Sequence, residues 1–177
     1  MVSIRLALLG EHHLDSVTEL VADPTARRFT RIPEPPPDGF ARSWLERYER
    51  SRVTGAQEIF AIEQAEPREP DEPAVGTFYG LAVVPSLDRE SGTAELGYML
   101  LASARGRGVA TAAVTELTAW TFAHGIERIE LLISAVNEPS KRVAQRCGYR
   151  YEGTHRSVYL KAGTREDTEC WSRLASD

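Results

Sequence analysis

The chain has 177 residues, enough for one domain with a good core and too few for two comfortable ones, and its 42% hydrophobic and 27% charged composition is ordinary for a soluble protein. No apolar run approaches the roughly 18–20 residues of a membrane span, and the start Met1-Val2-Ser3-Ile4-Arg5-Leu6 lacks the order of a secretory leader, so a cytoplasmic location is expected. A net charge of −5 disfavours general nucleic-acid binding and favours a cationic partner such as an amine.

Val2 to Leu9 reads as a first strand and Glu11 to Ala22 as a helix that ends before Asp23-Pro24. The proline-rich stretch Arg31 to Gly39 stays extended, and Asp38 is placed to cap a second helix through Trp44, Leu45 and Tyr48 to about Arg52. Glu58 to Gln64 is a strand, the run from Ala65 to Pro73 a polar proline-containing turn, and Ala74 to Val84 and Gly92 to Leu101 two further strands. From Gly108, Val109, Ala113, Leu117 and Trp120 recur at helical spacing up to His124-Gly125.

Glu127 to Val136 reads as a strand buried on both faces, because Ile129, Leu131, Leu132 and Ile133 fall close together. Asn137 caps the next helix, Pro139 suits its first turn and Gly148 its end. Tyr149 to Leu160 and Arg165 to Leu174 form a hairpin turning at Lys161-Ala162-Gly163-Thr164. The order β-α-α-β-β-β-α-β-α-β-β predicts a single α/β (α+β) domain over 1–177, with a mixed sheet and helices on both faces.

The strongest chemical signal is Ala104-Arg105-Gly106-Arg107-Gly108-Val109-Ala110-Thr111, lying between an apolar strand and an amphipathic helix. Glycines let the backbone approach a ligand, the helix start offers free N–H groups and a positive dipole end, and the two arginines can bond phosphate oxygens. This reads as a pyrophosphate cradle. It is not a P-loop, since no Gly-Lys pair occurs, nor a dinucleotide fingerprint, since Thr111 stands where the third glycine belongs. Cys147 and Cys170 show no metal or redox spacing and read as small buried or strand residues. His12, His13, His124 and His155 form no metal spacing, so no metal is expected.

Read in order, Glu95-Leu96-Gly97-Tyr98, the Arg105–Thr111 loop, Asn137-Glu138-Pro139-Ser140 and Cys147-Gly148-Tyr149 resemble the GNAT superfamily of acyl-CoA-dependent N-acyltransferases. Arg105, Gly108 and Ala110 match its Arg/Gln-x-x-Gly-x-Gly/Ala signature, and the pattern is most similar to the branch of ribosomal-protein alanine N-acetyltransferases. The resemblance is specific over 92–160 and looser over 1–91. It implies a mostly antiparallel sheet of about seven strands whose central pair splays apart around the pantetheine arm of acetyl-CoA.

On that resemblance Met99, Leu100 and Leu101 supply backbone to pantetheine, Arg105, Gly106, Arg107, Gly108, Val109, Ala110 and Thr111 hold the pyrophosphate, and a backbone N–H near Leu100 faces the oxyanion. Glu95 is the expected base. Ser140 is the expected partner of the leaving thiol, because the position where many relatives carry a tyrosine is Ala144, and Asn137 is either cap or donor contact. The acceptor is a primary amine of a peptide or protein N-terminus or of a small molecule. A homodimer fits the resemblance, and the rival reading is a non-catalytic acyl-CoA-binding or sensing protein.

Overall fold

The structure, a computed structural model, describes residues 2–66 and 73–177. In chain order it comprises β1 (Ile4–Leu8), a 3-10 turn (Glu11–His13), α1 (Leu14–Ala22), α2 (Pro24–Arg28), α3 (Phe40–Thr54), β2 (Glu58–Gln64), β3 (Phe78–Asp88) and β4 (Thr93–Leu100). A second 3-10 turn (Ala102–Ala104), α4 (Val109–Ala123), β5 (Arg128–Ser134), α5 (Glu138–Arg146), β6 (Arg150–Lys161) and β7 (Thr164–Leu174) complete it. The strands form one seven-stranded sheet in the order β1-β2-β3-β4-β5-β7-β6. All neighbours are antiparallel except β4 and β5.

Two apolar clusters cover opposite faces of β2–β4. Ile59, Ala61, Leu81, Val83 and Met99 pack under α1, α2 and α3, and Phe60, Ile62, Ala82, Val84, Leu96 and Leu100 pack under α4 and α5. Successive strand residues point to opposite faces, so burial on both sides turns alternation into the near-continuous apolar runs of β2 and β3. Beyond β4 only the α4/α5 face is covered. Ile129, Leu131 and Ile133 lie in that core, while Leu132 is 38% exposed beside Arg128 and Glu130. The expectation that this strand is buried on both faces therefore fails, because α1 and α3 stop short of it.

Three local expectations also change. Asp23 ends α1 but caps another helix, accepting from the Ala26 N–H at 2.8 Å with Pro24 in the first turn, so α2 is an element the sequence reading did not resolve. Asp38 is not the cap of α3; Gly39, in the left-handed region, holds that place and accepts from the Ser43 N–H. The strand expected over 74–84 begins at Phe78 and runs through Pro85 to Asp88. Pro85 survives because a bulge lies there, between the pairs Val83–Gly97 and Ser86–Glu95, and its carbonyl accepts from Gln57 Nε2. Of the turn expected over 65–73, residues 67–72 lie outside the described residues. The remaining boundaries agree within a few residues, and Asn137 caps α5 by accepting from the Ser140 N–H. No helix among the described residues is long and apolar enough to cross a membrane.

The end of β4 lies so close to β3 that a Cβ on Gly80 would sit 2.1 Å from Met99 O and 2.8 Å from Leu100 Cα. Gly80→Ala must push these strands apart, and we expect a loss of about 1–3 kcal/mol in urea unfolding. A midpoint equal to that of the parent would contradict this packing.

Candidate functional site

Pairing between β4 and β5 stops at Leu96 opposite Leu131, although both strands continue, β4 against β3 and β5 against β7. A wedge opens there, at the centre of a cleft of about 1430 Å³ lined by both strands, α5, the α4 entrance, the 29–34 loop and the β6–β7 tip. Opposed residues of an antiparallel pair alternate between bonding and facing away. The Leu101 N–H donates to Tyr79 O at 2.9 Å, which sets the phase. Gly97 and Met99 bond toward β3, while the backbone groups of Tyr98 and Leu100 point into the wedge.

The residues expected on this strand differ in what they turn toward the wedge. Leu100 presents its N–H to the wedge. Met99 contributes its side chain but not its backbone, and Leu101 contributes neither backbone group, because its carbonyl also accepts from the Ala104 N–H. The Tyr98 backbone, absent from the expected set, faces the wedge beside that of Leu100.

The glycine-rich loop follows. Gly106 (φ 73°) and Gly108 (φ 84°) occupy the left-handed region, and a Cβ on either would meet nothing within 4 Å, so conformation and not space demands glycine. The first intrahelical bond of α4 runs from Ala112 N–H to Gly108 O, leaving the N–H groups of Val109, Ala110 and Thr111 outside the helix ladder. With the dipole of a 15-residue helix behind them, they form an anion-binding end open to the cleft.

The two loop arginines behave differently from expectation. Arg105 folds back, donating to Leu100 O through Nε (3.2 Å) and Nη2 (2.8 Å) and reaching Asp23 Oδ1 at 2.5 Å, so its side chain ties the loop to the strand end and to the α1–α2 junction. Arg107 lies over the Tyr79 ring, 5.6 Å from its centroid, and is not part of the cleft lining. Arg142 and Arg146 of α5 do line it, on the side of the α4 entrance.

Glu95 and Tyr98 mark the two faces of β4. Glu95 is half-buried, opposite Glu130 on β5 and 3.8 Å from the Arg31 guanidinium. Burial raises its carboxyl above the ordinary range, Glu130 adds to the rise and Arg31 opposes it. On the other face the Tyr98 hydroxyl donates to Ser140 Oγ at 3.0 Å. Ala144, one turn beyond Ser140, is fully buried in the core and offers no hydroxyl.

A roof closes the Glu95 side. Arg28 pairs with Glu166, the Tyr159 hydroxyl donates to Thr30 O at 2.5 Å, and Lys161 Nζ donates to the carbonyls of Thr30 and Ile32, pinning the β6–β7 tip to the 29–34 loop. Burial of Lys161 lowers its pKa. None of these ties is legible in sequence, because each joins segments more than a hundred residues apart.

Two clusters of metal-binding residue types occur among the described residues. In one, Gly10 N–H donates to His13 Nδ1, so Nε2 carries the hydrogen toward Glu63, whose other oxygen takes Arg5. In the other, Arg128 donates to both Glu130 and Glu152 and holds Glu152 down at about 2. An arginine already supplies the cation in each. Cys147 and Cys170 are free and buried, and burial raises both thiols.

Comparison with known proteins places this geometry. The family model described as an acetyltransferase (GNAT) domain matches residues 3–150. "Putative ribosomal N-acetyltransferase YdaF" of Bacillus subtilis (strain 168) is 29% identical over 100 residues, 56% of this chain and 55% of that protein, so the match spans about half the relative's length. Among solved structures, RimL, a ribosomal L7/L12 α-N-protein acetyltransferase in complex with coenzyme A, superposes with a TM-score of 0.84 at 18% identity, covering 98% of this chain and 95% of that one. A spermidine N-acetyltransferase from Vibrio cholerae in complex with CoA and spermine gives 0.83 at 18% identity, covering 98% and 96%. At these identities the structural likeness speaks for the fold.

The Arg105–Asp23 contact yields a stability test. A double-mutant cycle with Arg105→Ala and Asp23→Ala is expected to show a coupling of about 0.5–3 kcal/mol in urea unfolding. Additive losses would mean that the arginine does not anchor the loop.

Proposed function

Because the chain belongs to the GNAT acetyltransferase family, we propose that it moves an acetyl group from acetyl-CoA to a primary amine by direct attack within a ternary complex. The observation that carries this reading is the wedge, where backbone groups, an anion-binding helix start and a half-buried carboxylate converge on one cleft. The alternative of a non-catalytic acyl-CoA sensor gives no work to Glu95 or to the Tyr98–Ser140 pair.

In this proposal the pantetheine amides pair with the backbone of Tyr98 and Leu100. The pyrophosphate sits at Gly106, Gly108, Val109, Ala110 and Thr111. Arg105 and Asn137 shape the site, since their side chains are engaged as a tether and a cap. The Leu100 N–H is placed for the carbonyl oxygen as it gains charge. An ammonium has no lone pair, so the acceptor reacts as the neutral amine after giving its first proton to water, and Glu95 takes the proton that the nitrogen sheds as it bonds the acetyl carbon. A raised carboxyl pKa makes Glu95 a better base than a free glutamate. Ser140 donates a hydrogen bond to the sulfur as the thiolate leaves.

The acceptor class is a peptide or protein N-terminal amine or a small-molecule amine, reached from the roofed side. The names of YdaF and of the L7/L12 enzyme support the former and that of the spermidine enzyme the latter. The proposal includes a cytoplasmic site of action. It also includes a homodimer through β6, one of the two edge strands, where Val158 and Leu160 are exposed. Sedimentation at twice the monomer mass supports that assembly, and a monomer at all concentrations removes it.

Turnover is read as thiol release from acetyl-CoA across N-terminal peptides and polyamines. Glu95→Gln is expected to lower kcat roughly 10²-fold with little change in KM. The acidic limb of kcat/KM should lie above the ordinary carboxylate range. Arg31→Ala removes the cation that holds the Glu95 carboxyl down, so the limb moves to higher pH. Because Arg31 is 76% exposed, added salt should move the parent's limb the same way. A limb unmoved in Arg31→Ala would exclude Glu95 as the titrating base.

A further inference from the structure

We propose that Tyr98 is a positioning residue for acetyl transfer, its phenol orienting the Ser140 hydroxyl so that the serine's hydrogen faces the departing sulfur. This rests on the transferase reading above and adds a residue to it.

A serine hydroxyl has one hydrogen and two lone pairs, and its rotor turns to suit its partners. At Ser140 one lone pair is filled by the Tyr98 phenol, at 3.0 Å. The backbone of the same residue is fixed by its N–H bond to Asn137 Oδ1. Ser140 is the third residue of α5, so a bond back along the helix would run to the carbonyl of Val136 or Asn137. Val136 precedes the helix, and the Asn137 carbonyl already accepts from the Lys141 N–H. Among the described residues no acceptor takes the Ser140 hydrogen, and Ser140 and Tyr98 both line the cleft. Burial holds the Tyr98 hydroxyl above its ordinary pKa, so the phenol keeps the hydrogen that it donates to Ser140.

The chemistry balances without moving a proton through the pair. The amine forms a bond to the acetyl carbon, its proton passes to Glu95, and the C–S bond breaks with its electron pair on sulfur. The thiolate is stabilised by the Ser140 hydrogen bond and takes a proton from water after release. Tyr98 acts only through the direction of that hydrogen bond. Since the fully buried Ala144 supplies no phenol from α5, the phenol next to the leaving group comes from β4.

The test is a double-mutant cycle on the full chain with Tyr98→Phe, Ser140→Ala and the pair, reading kcat and KM for acetyl-CoA by thiol release and the melting temperature of each. Tyr98→Phe should lower kcat about tenfold with KM unchanged. In the Ser140→Ala background the same change should alter kcat by less than about twofold, because the group through which Tyr98 acts is gone. Tyr98→Leu is prepared alongside, and whichever variant keeps the parent's cooperative melting carries the test. Multiplying losses, or an unchanged kcat in Tyr98→Phe, would overturn the inference while the parent still turns over. A parent that acetylates no amine would instead remove the transferase reading, and this inference with it.

Discussion

The parting of β4 from β5 after Leu96 and Leu131 is the constraint on which the rest of the site depends. A central pair of strands normally satisfies its backbone groups mutually, and buried N–H and C=O groups without partners are costly. Here the two strands separate inside the sheet, and the groups of Tyr98 and Leu100 face the opening. Such an edge, in the middle of a domain, is a template for an extended ligand with amide groups of its own. The Leu100 carbonyl is a wedge-facing group that the protein bonds itself, through Arg105.

Holding the wedge open requires rigid walls. One wall is β3–β4, locked by the close approach at Gly80 and packed on both faces. The other is β5–β7, covered on one face only and joined to the roof through the Ser134 hydroxyl on Glu166, which also takes Arg28. Across the opening, the Tyr98 hydroxyl on Ser140 joins β4 to the first turn of α5. Arg105 then couples the strand end, the glycine loop and Asp23 at the start of α2. The roof and the loop therefore hang from opposite ends of one short helix.

Much of the fold was legible because its signals are local. Asn137 and Pro139 announce α5, Gly108 announces α4, and the hairpin turn at Ala162-Gly163 lies where expected. Asp23-Pro24 carried two meanings, a stop for α1 and a start for α2, and only the first was read. The misjudged burial of β5 has a tertiary cause, since Leu132 looks like its neighbours until the extent of α1 and α3 is known. In the site, the loop came from its glycines, its arginines and its place before a helix, and Glu95 from the family resemblance. The Arg105–Asp23, Tyr98–Ser140 and Lys161–Ile32 contacts carried no such signal, because each depends on the folded chain bringing together residues 82, 42 and 129 positions apart.

The most direct test of the account is a crystal structure of the chain with acetyl-CoA bound. The account predicts pantetheine amides within about 3 Å of the backbone of Tyr98 and Leu100, the pyrophosphate on the loop from Gly106 to Thr111, and β4 and β5 still parted. Acetyl-CoA bound elsewhere, or strands paired through Leu100 with no room for the thioester, would contradict it.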